Sequence, residues 1–450
     1  MSSYELGTKA ALSSVMKGNN TFITGSGGSG KSHTIRTMQD FFEDDTIFCG
    51  PTGISALNIR GASCHKTFGL AMGVSLEDDI RRVKSRKQAA LLSSKALVRI
   101  VIDEMGMVRT DKLYEMDHKM RYFRKNDLPF GGLQVVALGD GFQIPPVLRN
   151  EEKSVFHKIY GSEIPFGSPT WNALNFTNVL LNKNYRQKDA EFMHHLNNIR
   201  TGVNVYDAVQ YFNDNCYGQP PSDAYVTLCS TNKLASEVNQ ERFNLLAGKS
   251  KQYRASIKGD FKERPVDEIM SLKIGCKVMI IKNDSATPPR YVNGSVGIVK
   301  SMAATYIVVE INGEPIEIAM HTWDNVGYET SKKKVVEDDE CGVPVQKEID
   351  VINEVKLGSY VALPVKLGYA ITTHKAQGLT LAGVNIDLGA GAFAAGMTYV
   401  ALSRATNVQT LTLTQPLRTK DIIVDRRIVD FYRRTFPNMN QDLIDGNKGD

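Results

Sequence analysis

The stretch that most constrains this chain is Gly25-Ser26-Gly27-Gly28-Ser29-Gly30-Lys31-Ser32. It fits the pattern G-x-x-x-x-G-K-[ST], follows the short apolar, β-prone run Thr21–Thr24, and precedes a segment from Ser32 to Phe42 that can form a helix. Strand, glycine-rich turn and helix in that order belong to a parallel α/β layer. The glycines let successive backbone N–H groups turn inward as a phosphate cradle, and the helix N-terminus adds a positive dipole end. Lys31 is then in reach of the β- and γ-phosphates, and the Ser32 hydroxyl can ligate Mg2+. The stretch implies nucleotide binding and leaves the use of the nucleotide open.

Three more β-rich runs follow, Thr46–Cys49, Leu97–Ile102 and Val135–Leu138, with helical stretches between them. Near-continuous apolar strands of this kind make a parallel sheet covered on both faces, with ligands at the C-terminal strand ends. Leu97–Ile102 ends in Asp103-Glu104, where Asp103 can hold Mg2+ and Glu104 can polarise an attacking water. An acidic pair after a strand also begins many solvated loops; the phosphate loop upstream favours hydrolysis. Val135–Leu138 leads into Gly139-Asp140-Gly141-Phe142-Gln143-Ile144-Pro145-Pro146. Gln143 is placed to sense a γ-phosphate or orient water; the alternative is a turn fixed by the glycines and prolines.

A chain of 450 residues exceeds one ordinary core, so roughly two to four domains are expected. Its 42% hydrophobic and 23% charged residues are those of a soluble globular protein, and a net charge of +5 permits a polyanionic partner without demanding one. Six scattered cysteines without a C-x-x-C pair or a histidine at zinc spacing argue against a disulfide scaffold or zinc site and for a reducing interior. The N-terminus has no apolar signal core and no Arg-rich transit character, and no apolar run reaches the ~20 residues of a membrane span, so a cytoplasmic location is expected. Asn293-Gly294 and Asn312-Gly313 punctuate the β-rich runs Val296–Met302, Tyr306–Ile311 and Ile316–Met320, hairpin signals that predict a small antiparallel barrel. Lys332–Lys334 beside the acidic Glu337–Glu340 read as an exposed loop.

In chain order, GSGGSGKS, VIDEMGMV, PFGGLQVVALGDGFQIPPV, LLNKNYRQKDAEFMHHLNNIRTG, TLCSTNKLASEVN, LKIGCKVMIIKN, YVNGSVGIVK, ITTHKAQGLTLAGVNIDLG and YVALSRATN resemble the motifs of superfamily 1 DNA helicases. The closest resemblance is to the PIF (petite integration frequency) family of superfamily 1B, in its compact bacterial or phage form.

That resemblance implies an α/β fold of two RecA-like P-loop lobes, parallel sheets flanked by helices, with ATP between them and a small β-barrel inserted in the second. It divides the chain into a first lobe at 1–182, with a small excursion near 69–95 that carries a strand-separating wedge in the family. The second lobe takes 183–282 and 357–441, the insert 283–356, and a flexible tail 442–450. By resemblance the catalytic residues are Lys31, Asp103, Glu104, Gln143, Arg186 and Arg404, the two arginines coming from the second lobe. ATP would be held by Gly25, Ser26, Gly27, Gly28, Ser29, Gly30, Lys31, Ser32 and Gly378, and Mg2+ by Ser32 and Asp103. The implied DNA contacts are Pro51, Thr52, Gly53, His65, Phe68, Thr373, His374 and Gln377. Phe68 and the histidines can stack on bases at ~1–3 kcal/mol per base, although core packing is an equal alternative for Phe68.

The chain departs from the family pattern in three places. The upstream glutamine that reads adenine has no counterpart, Thr8 standing nearest to its place; Gly106 stands where serine is common; and Gly141 stands where a bulkier residue is common. The implied activity is ATP-dependent, 5′→3′ translocation on single-stranded DNA with duplex unwinding in replication, recombination or repair. The implied partners are single-stranded and forked DNA, with replication or single-strand-binding proteins beside a monomeric enzyme and no membrane. Competing readings are a nucleotide-switched clamp that hydrolyses little, a nucleoside kinase, and an RNA-directed helicase. The first needs none of Glu104, Gln143, Arg186 and Arg404, and the second none of the C-terminal motifs.

Overall fold

The structure, a computed structural model, describes residues 3–42, 44–220, 225–261, 264–286, 289–338 and 344–437. The expected tail at 442–450 and Cys341 lie outside the described residues. The chain divides into two compact units: residues 1–141, 146–183 and 324–357 in the first, and 142–145, 184–323 and 358 onward in the second. Two segments therefore depart from the expected boundaries. Residues 142–145 count with the second unit, and 324–357, expected in the insert up to 356, count with the first.

The first unit is built on β1 (Thr21–Gly25), β2 (Thr46–Gly50), β3 (Ala62–Ser63), β4 (Arg99–Ile102), β5 (Gln134–Gly139) and β6 (Thr177–Leu181). All pair in parallel in the order β3-β2-β4-β5-β1-β6. β1 is buried on both faces, which is why it reads as an unbroken apolar run. Ile23 packs with Ala11 and Val15 of the helix Ser3–Met16 and with Ile35 and Met38 of the helix Lys31–Phe41. Phe22 meets the Trp171 ring edge-on at 5.0 Å. Fully burying one such side chain contributes about 1.5–3 kcal/mol.

The excursion after residue 69 is held by buried charges as well as by Leu70, Leu91 and Leu92. The helix Thr110–Arg124 turns Asp111, Glu115 and Lys119 inward, all fully buried. Glu115 accepts from Ala71 N (3.2 Å) and Ser75 Oγ (2.6 Å), Lys112 Nζ donates to Gly73 O (2.6 Å), and Lys119 Nζ donates to Gly69 O (3.1 Å) and Arg82 O (2.6 Å). Each buried charge thus has an opposite charge or a carbonyl beside it, the condition under which burial is tolerated.

In the second unit, β7 (Val226–Cys229) is followed by β8 (Lys251–Arg254), β9 (Ser256–Gly259), β10 (Ile269–Leu272), β11 (Lys277–Ile280), β12 (Val296–Met302), β13 (Tyr306–Ile311) and β14 (Glu314–Ala319). The strands β15 (His321–Asp338) and β16 (Pro344–Ala362) run on into β17 (Val365–Leu367), β18 (Ala370–Thr372), β19 (Val384–Asp387) and β20 (Leu411–Leu413). β18-β7-β19-β20 form a second parallel sheet, and β14-β13-β12-β11-β17 form an antiparallel one. The expected hairpin runs thus lie in a five-stranded antiparallel sheet, whose β11 and β17 fall outside 283–356, while β15 and β16 pair in a separate sheet with β9. Asn312 and Gly313 both take positive φ, 53° and 85°, the backbone a two-residue hairpin turn requires. Lys332–Lys334 are exposed but lie in β15, not in a loop. In the first unit, Lys66 Nζ bonds Asn325 Oδ1 and Lys87 Nζ pairs with Glu329 at 2.8 Å, two contacts that anchor this strand. Among the described residues, no helix is long and apolar enough to cross a membrane.

Candidate active site

In the first unit, a parallel sheet brings its chemistry to one edge. Ile23 is in register with Leu138, and Ile102 with Cys49 and Ala137. Gly25, Gly50, Asp103 and Asp140 consequently sit together at the C-terminal ends of β1, β2, β4 and β5. The loop after β1 turns through Gly28 (φ 89°) and Gly30 (φ 94°), a region closed to most side chains, and Gly30 N-caps the helix. A Cβ on Gly25 would stand 2.5 Å from Leu181 O and 2.6 Å from Ser29 Oγ. Lys31 Nζ lies along the loop, donating to Gly25 O (2.7 Å) and Ser26 O (3.1 Å), and the Ser32 hydroxyl is exposed.

Asp103 follows β4 with its N–H on Cys49 O (2.9 Å) and is almost wholly buried. Burial first, then the neighbouring Glu104, push its carboxyl up to about 7, while Lys31 pulls it down. Glu104 itself holds φ 48°, a conformation non-glycine residues rarely keep unless the surroundings impose it. Gly106 has a packing reason: a Cβ there would stand 3.0 Å from Asp140 O. Serine at this position would push the two acidic loops apart.

In the second unit the expected arginines converge. Arg186 donates to Thr380 Oγ1 (2.8 Å) and Ser403 O (3.0 Å). Arg404 is buried and donates to Val400 O (2.9 Å), Ala376 O (3.2 Å), Leu379 O (3.1 Å) and Ser403 Oγ (2.6 Å). These oxygens orient the guanidiniums without neutralising them. Burial and then the adjacent Arg404 push Arg186 down to about 9, the electrostatic signature of a place that an anion would relieve. Gln143 counts with this unit, and its Oε1 accepts from Gln377 Nε2 at 3.3 Å. Gly378 (φ 78°) follows Gln377 in the chain, and a Cβ there would meet open space.

The expected DNA residues fare unevenly. Pro51 and Thr52 follow β2 at the ligand edge, and Thr52 caps the helix Gly53–Asn58 by accepting from Ser55 N (3.1 Å). His65 and His374 are half-buried, and burial lowers both pKa values, so neutral rings are available for stacking or hydrogen bonding. Phe68 is fully buried, which settles its alternatives in favour of the core: no face is left for a base. Thr373 is also fully buried, and its hydroxyl donates to Cys229 O (3.3 Å), so its side chain is structural. Two residues escaped the sequence reading. Gln187, fully buried, donates to Ser403 O and Ala405 O and fixes the Arg404 turn; its place beside Arg186 was the available signal. Arg200, also buried, faces Phe142 and had no sequence signal beyond lying in the arginine-bearing segment.

A family model described as PIF1-like helicase matches residues 8–209. The Bacteroides sp Pif1 structure in complex with ADP-AlF4 superposes with a TM-score of 0.83 at 29% identity, covering 96% of this chain and 97% of that one. Along nearly its whole length the chain is similar to Pif1 helicases. The ATP-dependent DNA helicase Pif1 of Campylobacter jejuni is 27% identical over 94% of this chain and 96% of its own length. The ATP-dependent DNA helicase RRM3 of Saccharomyces cerevisiae is 29% identical over 93% of this chain, which spans 66% of that protein. The Bacteroides Pif1 has also been solved bound to ssDNA, with a TM-score of 0.66 to this chain.

Proposed function

We propose that this PIF1-like chain is an ATP-driven DNA helicase that moves 5′→3′ along a single strand and separates duplex ahead of it at forks. The observation that carries the reading is a division of labour. The phosphate cradle, Asp103 and Glu104 stand on the sheet edge of the first unit, while Gln143, Arg186 and Arg404 belong to the second. An arginine on the developing phosphoryl charge is worth about 10³–10⁵ in turnover, so loss of Arg186 or Arg404 should slow hydrolysis by that order. Glu104 orients the attacking water, Lys31 neutralises the β- and γ-phosphates, and Gln143 reports the γ-phosphate.

The donor set suits Mg2+, an ion that takes one or two carboxylates and fills its remaining positions with water and phosphate oxygens. Asp103 and the exposed Ser32 hydroxyl supply that much, and among the described residues no cluster of three or more His, Cys, Asp or Glu competes for it. When bound, the ion would neutralise charge on the transferred phosphoryl group. Pro51, Thr52, Gly53, His65, His374 and Gln377 remain the proposed strand contacts, with Thr373 reduced to backbone contact.

The test is steady-state ATP hydrolysis with and without single-stranded DNA. Strong stimulation by DNA is expected; an ATPase indifferent to DNA would remove the translocase reading and favour a clamp.

A further inference from the structure

The chain passes from β5 into residues 142–145, and these four residues count with the second unit although the strand before them belongs to the first. What holds them is a box of aromatic and cationic side chains. The Arg200 guanidinium lies 4.3 Å from the centre of the Phe142 ring and 5.9 Å from each of the Tyr399 and Tyr432 rings. Tyr432, from the C-terminal helix Arg426–Thr435, packs on Phe142 at 4.6 Å between centroids. All four side chains are nearly or wholly buried. A guanidinium over a ring, removed from water, is among the stronger contacts available to a phenylalanine.

The backbone is seated as firmly as the ring. Gly396 (φ 72°) N-caps the helix Met397–Leu402, and a Cβ there would stand 2.8 Å from Gln143 O and closer still to Phe142 O. That helix carries Tyr399 and runs directly into Ser403 and Arg404. The side chain of the next residue, Gln143, is bonded to Gln377. Gln143 and Arg404 are thus mounted on one scaffold, through Gly396 below and the Phe142 ring beside.

We propose that Phe142 and Arg200 are positioning residues for nucleotide turnover, clamping the γ-phosphate-sensing Gln143 to the helix that presents Arg404. The glutamine and the arginine then engage or leave a nucleotide together. The inference rests on the ATPase reading above. Neither residue touches the nucleotide; each acts through Gln143. This role gives the buried Arg200 and its contacts with three rings a purpose.

The test compares wild type, Phe142→Leu, Arg200→Lys and Gly396→Ala in DNA-stimulated ATP hydrolysis, with nucleotide affinity measured separately by a fluorescent ATP analogue. Phe142→Leu keeps apolar volume and loses the ring; Arg200→Lys keeps charge and loses the plane. Displacement of a reacting group by about 1 Å can lower rate some 10²-fold, so kcat should fall by about 10–100-fold. KM and analogue affinity should stay within about twofold, because the first unit's phosphate cradle is untouched. In a Gln143→Ala background, Phe142→Leu should add no further loss. Unchanged kcat in Phe142→Leu, or losses that multiply with Gln143→Ala, would overturn the inference. Thermal midpoints are followed in parallel, and if Phe142→Leu does not fold, Arg200→Lys carries the same comparison. A wild-type enzyme without DNA stimulation would instead count against the functional reading itself.

Discussion

Replacing Asp103 with asparagine should stabilise the nucleotide-free, Mg2+-free protein while abolishing its turnover. In an unfolded chain this carboxyl titrates near ~3.9. In the folded protein, burial and Glu104 raise it to about 7. Below about pH 4 the proton is bound in both states and the residue has no effect on stability. As pH rises from about 4 to 7, the unfolded chain releases the proton and the folded one keeps it, so stability falls; above pH 7 the full penalty is present. Between pH 5 and pH 8 the penalty grows by about 2.5 kcal/mol. Asparagine carries no such term. The stability of Asp103→Asn relative to wild type should therefore rise by about 2.5 kcal/mol across that interval, or roughly 5–10 °C in the midpoint of a unit this size. Thermal unfolding in EDTA at pH 5, 6, 7 and 8 measures it. A difference that is flat with pH, or a wild type more stable than the variant at pH 8, would refute the electrostatic account of this site.

Lys31→Ala, which removes the cation from the phosphate loop, should lower kcat by about 10²–10³ in steady-state assays. Arg186→Ala should lower kcat by about 10³ or more with a small change in thermal midpoint. Arg404→Ala should lower both, because its guanidinium also ties the carbonyls of Ala376, Leu379 and Val400 together. Phe68→Ala should act on folding instead of DNA stacking, destabilising the first unit by about 3–5 kcal/mol in denaturant titration.

Local chemistry made much of this molecule legible. The glycine pattern before Lys31 and the apolar runs at β1, β2, β4 and β5 need only their own neighbours to be understood, and they fall within a residue or two of expectation. Asn312-Gly313 likewise specified its own turn. What sequence could not reveal depends on distant partners. Phe68 reads as a stacking platform or a core residue until its packing is known, because both roles require an aromatic ring. Thr373 has a hydroxyl suited to phosphate, and only the parallel pairing of β18 with β7 turns it towards Cys229. The residues 142–145 continue a strand of one unit and yet belong to the other. The cause is Arg200, 58 positions beyond Phe142 in the chain. Lys332–Lys334 read as part of a loop because three consecutive lysines give no apolar alternation, yet they lie in β15.

Coupling of ATP hydrolysis to directional movement on DNA is read out by strand separation on forked substrates. One substrate carries only a 5′ single-stranded tail and the other only a 3′ tail. ATP-dependent unwinding of the 5′-tailed duplex is expected, and it should be lost in Lys31→Ala. Unwinding from the 3′ tail alone, or separation that persists in Lys31→Ala, would contradict it.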